Sequence, residues 1–250
     1  IHYMLRGSYP LDDEIYQRLE ESDVLAVEVD MRAVSNFEVQ SLINELGRIE
    51  SKRQLEDILE ADLYRRTINL ASKYGVSEAQ LNQFQPWYVS LLVSNFATRE
   101  MGVDVVAGID QHLLTKATEL GLEVRELESL REQYEMFANL GEAEQIAMLR
   151  DVYDDLEKGA DYVNNLVNFW QAGEVEKFKQ SFFQHREASP AREEYYRVLL
   201  DERDKKMKAS IERMLSEDKK IFVVVGAGHV VGERGLLHLF EEAGYETEQL

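Results

Sequence analysis

The sequence predicts an α/β protein, a small and mostly parallel sheet core with large helical insertions. Two short runs, Val24-Leu25-Ala26-Val27-Glu28-Val29 and Ile221-Phe222-Val223-Val224-Val225, have the apolar, β-branched character of strands buried on both faces. A third run, Leu122 to Leu127, is interrupted by Glu123, Arg125 and Glu126 and predicts a weaker strand. Helical periodicity flanks each run, so the connections are crossovers and the strands lie mostly parallel.

Taken in order, the remaining elements follow from local signals. Ser77-Glu78-Ala79-Gln80 has the form of a capping box, and Pro86 suits a first helical position. Pro190 does the same after Ser189, its expected cap, for a helix running to about Leu215. Residues Glu233 to Ala243 predict a helix, and Tyr245 to Leu250 a final strand. The chain therefore reads as one domain over 1–250, with helical insertions at about 37–100 and 129–216 that serve as scaffold or as a cleft wall.

Composition narrows the function. The 250 residues are 44% hydrophobic and 30% charged, enough for a sizeable core in one large domain. Lys and Arg number 28 against 48 Asp and Glu, a formal net charge of -20. That balance weighs against nucleic acid and against adsorption to anionic lipid; any steering by the surface would favour cationic substrates. The absence of cysteine excludes disulfides, thiolate metal sites and thiol nucleophiles. No apolar run approaches the roughly 20 residues of a membrane span, so no membrane insertion is expected. No signal-peptide pattern is read in the opening residues, and the chain opens at Ile1-His2 as though inside a longer protein.

Candidate chemistry clusters at the carboxyl ends of the predicted strands, where open α/β sheets bind ligands. His229 follows the most apolar strand through Gly226-Ala227-Gly228, glycines that would let the chain turn tightly and expose the histidine above the sheet. The spacing of Gly226, Gly228 and Gly232 does not fit a dinucleotide fingerprint, since Val231 stands in the third glycine's place. Glu28 ends the first strand; buried there, a carboxylate needs a partner or a metal, and the alternative is a solvated strand end. Asp30 could share its face, and Glu128 ends the weaker strand in the same way. Arg203 falls inside the stripe Tyr196, Leu200, Met207, Ile211 and Met214, where it would meet a buried carboxylate or hold an anionic group bidentately. His112, His185 and His238 lie on predicted helices or their edges and read as ordinary core or surface residues.

Together these residues resemble the TraB/GumN family, which includes the TIKI Wnt-inactivating metalloproteases. The segment Phe222-Val223-Val224-Val225-Gly226-Ala227-Gly228-His229, with Gly232-Glu233-Arg234-Gly235 and Gly244-Tyr245, is similar to that family's closing motif and carries one of its two G-x-x-H elements. Ile1-His2 before Tyr9-Pro10-Leu11 resembles the other element in truncated form, making His2 its histidine. Glu28, Pro86-Trp87, Gly108-Ile109-Asp110, Leu127-Glu128-Ser129 with Gln133, and Trp170 with Gly173 resemble further markers. Glu202-Arg203-Asp204 with Met207 resembles an Arg-Asn-x-x-Met signature, with Asp204 where asparagine is usual.

The resemblance implies a metal-dependent hydrolase, a peptidase acting on peptides or protein N-terminal segments. His2, Glu28 and His229 would hold a divalent metal, Mn or Co rather than Zn; Glu28 or Glu128 would act as general base, and Arg203 would steady a developing oxyanion. Two alternatives stand beside it. One is a metal-independent His/Glu hydrolase of the erythromycin-esterase type, the other a non-catalytic binding protein in peptide or polysaccharide handling. The frequent export of Gram-negative members points to a periplasmic or other extracytoplasmic location, and homodimer formation is left open.

Overall fold

A computed structural model describes residues 9–101 and 108–249. Helix α1 (Asp13–Glu20), capped by the Asp12 carboxylate, leads into β1 (Val24–Val27). A helical stretch follows: α2 (Asn36–Leu46), α3 (Leu55–Ile58), α4 (Ala61–Lys73), α5 (Glu78–Leu81) and α6 (Pro86–Glu100). The next helix, α7 (Ile109–Leu120), returns the chain to β2 (Glu123–Glu126). A second helical stretch comprises α8 (Leu130–Ala138), α9 (Glu142–Lys158), α10 (Ala160–Gln171), α11 (Val175–Phe182), α12 (Pro190–Tyr196), a π-turn over Arg197–Asp201, and α13 (Glu202–Leu215). Strand β3 (Ile221–Val224) is followed by α14 (Ala227–Val231) and α15 (Leu236–Glu242).

Among the described residues the three strands form one parallel sheet in the order β2-β1-β3, with Val24 opposite Glu123 on one side and Ile221 on the other. Strand β1 is central and buried along its whole length. Its alternation divides the core: Leu25 and Val27 face Leu19 of α1, Leu113 and Leu114 of α7 and Val167 of α10, whereas Ala26 faces Met207, Ile211 and Met214 of α13 and Leu236 of α15. The sheet is thus covered on both faces, as a parallel sheet requires. The charges that interrupt the third run belong to an edge: on the outer strand β2, Arg125 pairs with Glu123 of the same strand and with Glu217 beyond α13.

The capping box at Ser77 forms with Gln80 but opens a helix of only four residues, while Pro86 and Pro190 both take the first turn of their helices and Ser189 caps α12. The two helical stretches share a core. Leu63 and Leu70 of α4, Val89 and Val93 of α6, and Leu149 and Tyr153 of α9 are buried together.

Three expectations are corrected. Residues 245–249 are exposed and form no strand, because Glu246, Glu248 and Gln249 bring no apolar face to add to the sheet. The closing helix begins at Leu236 rather than Glu233. The helix from Pro190 to Leu215 is one continuous rod only if the π-turn at Arg197–Asp201 is counted within it.

Helix α12 docks on α9 through Asp151, which accepts from the Tyr195 hydroxyl and pairs with Arg192 Nε at 2.6 Å. Burial pushes Asp151 up to about 7, against the opposing pull of Arg192. A carboxyl whose folded-state value is raised binds its proton more tightly when folded, so its contribution to stability is present at low pH and is lost as pH climbs through the folded value. Between about pH 4 and 7, stability should fall by up to about 4 kcal/mol on this account. Urea midpoints measured across that window should therefore vary less in Asp151→Asn. Equal pH slopes in the two proteins would exclude the effect.

Candidate active site

The strand register builds the site. The parallel ladder runs past the ends of β1 and β2, with Leu127 N–H donating to Val27 and Glu128 N–H donating to the Glu28 carbonyl at 3.1 Å. The two glutamates are thereby carried side by side at the carboxyl edge of the sheet. Both side chains are largely withdrawn from solvent, at 11% and 12% exposed, so the solvated strand end considered for Glu28 does not occur.

Arg203 of α13 lies between them. Its Nη2 donates to Glu28 Oε2 at 2.7 Å and to Glu128 Oε1, its Nε to Glu128 Oε2 at 3.0 Å. Its Nη1 donates to the Leu199 carbonyl at 3.0 Å, inside the π-turn. Burial works against the guanidinium charge, but the Glu128 hydrogen bonds and the charges of both glutamates prevail and hold it above its ordinary value. Arg203 thus meets not one buried carboxylate but two. Gln133 of α8 completes the cluster, its amide donating to Glu128 Oε1 at 2.7 Å and reaching Glu28 Oε2 at 3.5 Å.

His229 approaches from the other side. It sits on α14, directly after β3, and is 4% exposed. The glycines before it place it by close approach: a Cβ on Gly228 would stand 2.6 Å from the Phe182 ring. The histidine is consequently packed within the edge of the sheet and not displayed above it, as the glycine-rich turn alone had suggested. The same turn supplies the Gly226 N–H, which donates to Glu28 Oε1 at 2.7 Å. His229 Nε2 faces that oxygen at 4.0 Å, and Nδ1 lies 2.5 Å from Asp204 Oδ1.

Asp204 is the residue that sequence reasoning passed over, having noted it only as a departure from a signature. It is 1% exposed, and burial pushes its carboxyl upward against the opposing hydrogen bond to His229. A signal was present: Leu200, Asp204, Met207, Ile211 and Met214 follow one helical seam, and an acid within a buried seam needs a partner. Gln133 stood out only as a marker of the family resemblance, with no signal in its own surroundings.

The other candidates stand elsewhere. Asp30 is bound to Arg32 at 2.7 Å and does not join Glu28. His112 meets the Tyr16 hydroxyl, His185 meets Lys158, and His238 lies near Glu242. His2 lies outside the described residues. A cavity of about 360 Å³ opens beside Glu28, lined by Val27, Glu28, Met31, Gln111, Leu114 and Gln133, and does not include Glu128, Arg203 or His229. A wider groove of about 800 Å³ between Arg48 and Gln83 includes none of these site residues.

The donor chemistry suits a divalent ion in kind: an imidazole nitrogen oriented by a carboxylate faces a glutamate oxygen. The described residues supply those two donors and no group of three or more that could close around an ion.

These features define a class: an α/β protein whose parallel sheet carries a buried histidine–carboxylate–arginine constellation at its carboxyl edge. A model of the TraB/PrgY/gumN family matches residues 1–249, and the chain belongs to that family. No curated protein and no solved structure matches it. Among the described residues no helix is long and apolar enough to cross a membrane.

Proposed function

We propose that the protein is a metal-dependent hydrolase of peptides or protein N-terminal segments, with His2, Glu28 and His229 as ligands of a divalent ion. The reading is carried by one observation, the facing of His229 Nε2 and Glu28 Oε1 across 4.0 Å at the edge of the sheet. Mn²⁺ or Co²⁺ is favoured over Zn²⁺. A bound ion would supply Lewis-acid polarisation of the scissile carbonyl and a bound water of lowered pKa. The remaining work falls to the chain. Glu128 takes the proton of the attacking water and passes it to the leaving amine. Arg203 keeps the two glutamates from repelling each other and steadies charge that develops beside them. The cavity next to Glu28 seats the substrate.

A second reading has its own support. Arg203 and the Gly226 N–H already bind both oxygens of Glu28, which suits a metal-independent hydrolase with His229 and a glutamate as acid and base.

Calorimetric titration of Mn²⁺ and Co²⁺ separates the two. On the first reading about one equivalent binds, and His229→Ala abolishes the heat. Peptide hydrolysis that persists in excess chelator, with no binding heat, would establish the second reading instead. A ligand held tightly with no turnover under either condition would argue for a binding protein.

A further inference from the structure

Asp204 lies one residue beyond Arg203 on α13 and is almost wholly withdrawn from solvent, an expensive place for a carboxylate. The bond it makes there is to His229 Nδ1, at 2.5 Å. An ionised carboxylate only accepts hydrogen bonds, so the nitrogen opposite must carry the proton. An amide of the same shape could present either its oxygen or its NH₂ and would be compatible with both forms of the ring.

The consequence appears on the far side of the imidazole. In the neutral ring with its proton on Nδ1, Nε2 carries a lone pair, and this atom faces Glu28 Oε1. Two acceptors set 4.0 Å apart repel unless something donating or positively charged lies between them. We propose that Asp204 is a positioning residue that fixes His229 as the Nδ1–H tautomer and so presents Nε2 toward Glu28 as an acceptor. The proposal deepens the hydrolase reading and rests on it for its significance, but its physical content is a property of the apo protein.

The test is a long-range ¹H–¹⁵N correlation spectrum of the imidazole nitrogens in the metal-free protein at neutral pH, with His229→Gln to assign the signal. His229 should show a protonated Nδ1 and an unprotonated Nε2. Asp204→Asn should populate the opposite tautomer, and Asp204→Leu should abolish the preference. Turnover in Asp204→Asn should fall by about 10- to 100-fold, in kcat more than in KM. An Nε2–H tautomer in the native protein, or an unchanged tautomer preference in folded Asp204→Leu, would overturn the proposal whatever the activity. A tautomer that follows Asp204 in a protein without hydrolytic activity would support the proposal and remove the hydrolase reading.

Discussion

Arg203→Met lowers the stability of the folded chain by about 3–5 kcal/mol, the cost of stranding one side of a buried ion cluster. Two largely desolvated carboxylates are left together without their shared guanidinium, while Gln133 and the Gly226 N–H still donate to them. Methionine matches the arginine stem in bulk, so the loss comes from charge and hydrogen bonding and little from a cavity. Arg203→Lys should recover part of it, because an ammonium neutralises charge but cannot span two carboxylates as the guanidinium fork does. Adding Glu128→Gln to Arg203→Met should also recover part, since one of the repelling charges is gone; a double-mutant cycle in urea isolates that coupling. If Arg203→Met unfolds at the same urea concentration as the native chain, the cluster is not buried as described.

If the protein is a hydrolase as proposed, His229→Ala should remove most of its turnover while leaving the fold in place. Among the described residues the ring makes one hydrogen bond, to Asp204, and belongs to none of the four hydrophobic clusters. On either hydrolase reading Nε2 works at the reacting centre, so the expected loss is about 10²- to 10⁴-fold in kcat. Asp204 loses its partner in this variant, which adds a modest destabilisation to be checked by thermal melting. Turnover unchanged in a well-folded His229→Ala would remove both hydrolase readings.

Different parts of this site were legible in the sequence to different degrees. Glu28 and His229 could be picked out because each directly follows an apolar strand, and strand ends in a parallel sheet share one edge. Glu128 followed by the same rule from a weaker strand. Arg203 stood out as a charge within an apolar seam. Its partners could not be read, because nothing local states that α13 crosses the edge where β1 and β2 end. Asp204 lay in the same seam, yet adjacent residues on a helix point about 100° apart, and the sequence does not say that both reach the site.

What the sequence by itself determined was the kind of fold, the parallel sheet, the burial of β1 and the chemical types gathered at its edge. Those follow from hydrophobic periodicity and from the shortness of the strands, which are local properties. Tertiary structure alone decided who touches whom. The ladder sets Glu28 beside Glu128, the π-turn carries the Leu199 carbonyl to Arg203, and Phe182 packs against Gly228 beside His229. Each is a contact between residues distant in the chain or displaced by an irregular turn, fixed by register and packing rather than by any pattern along the sequence.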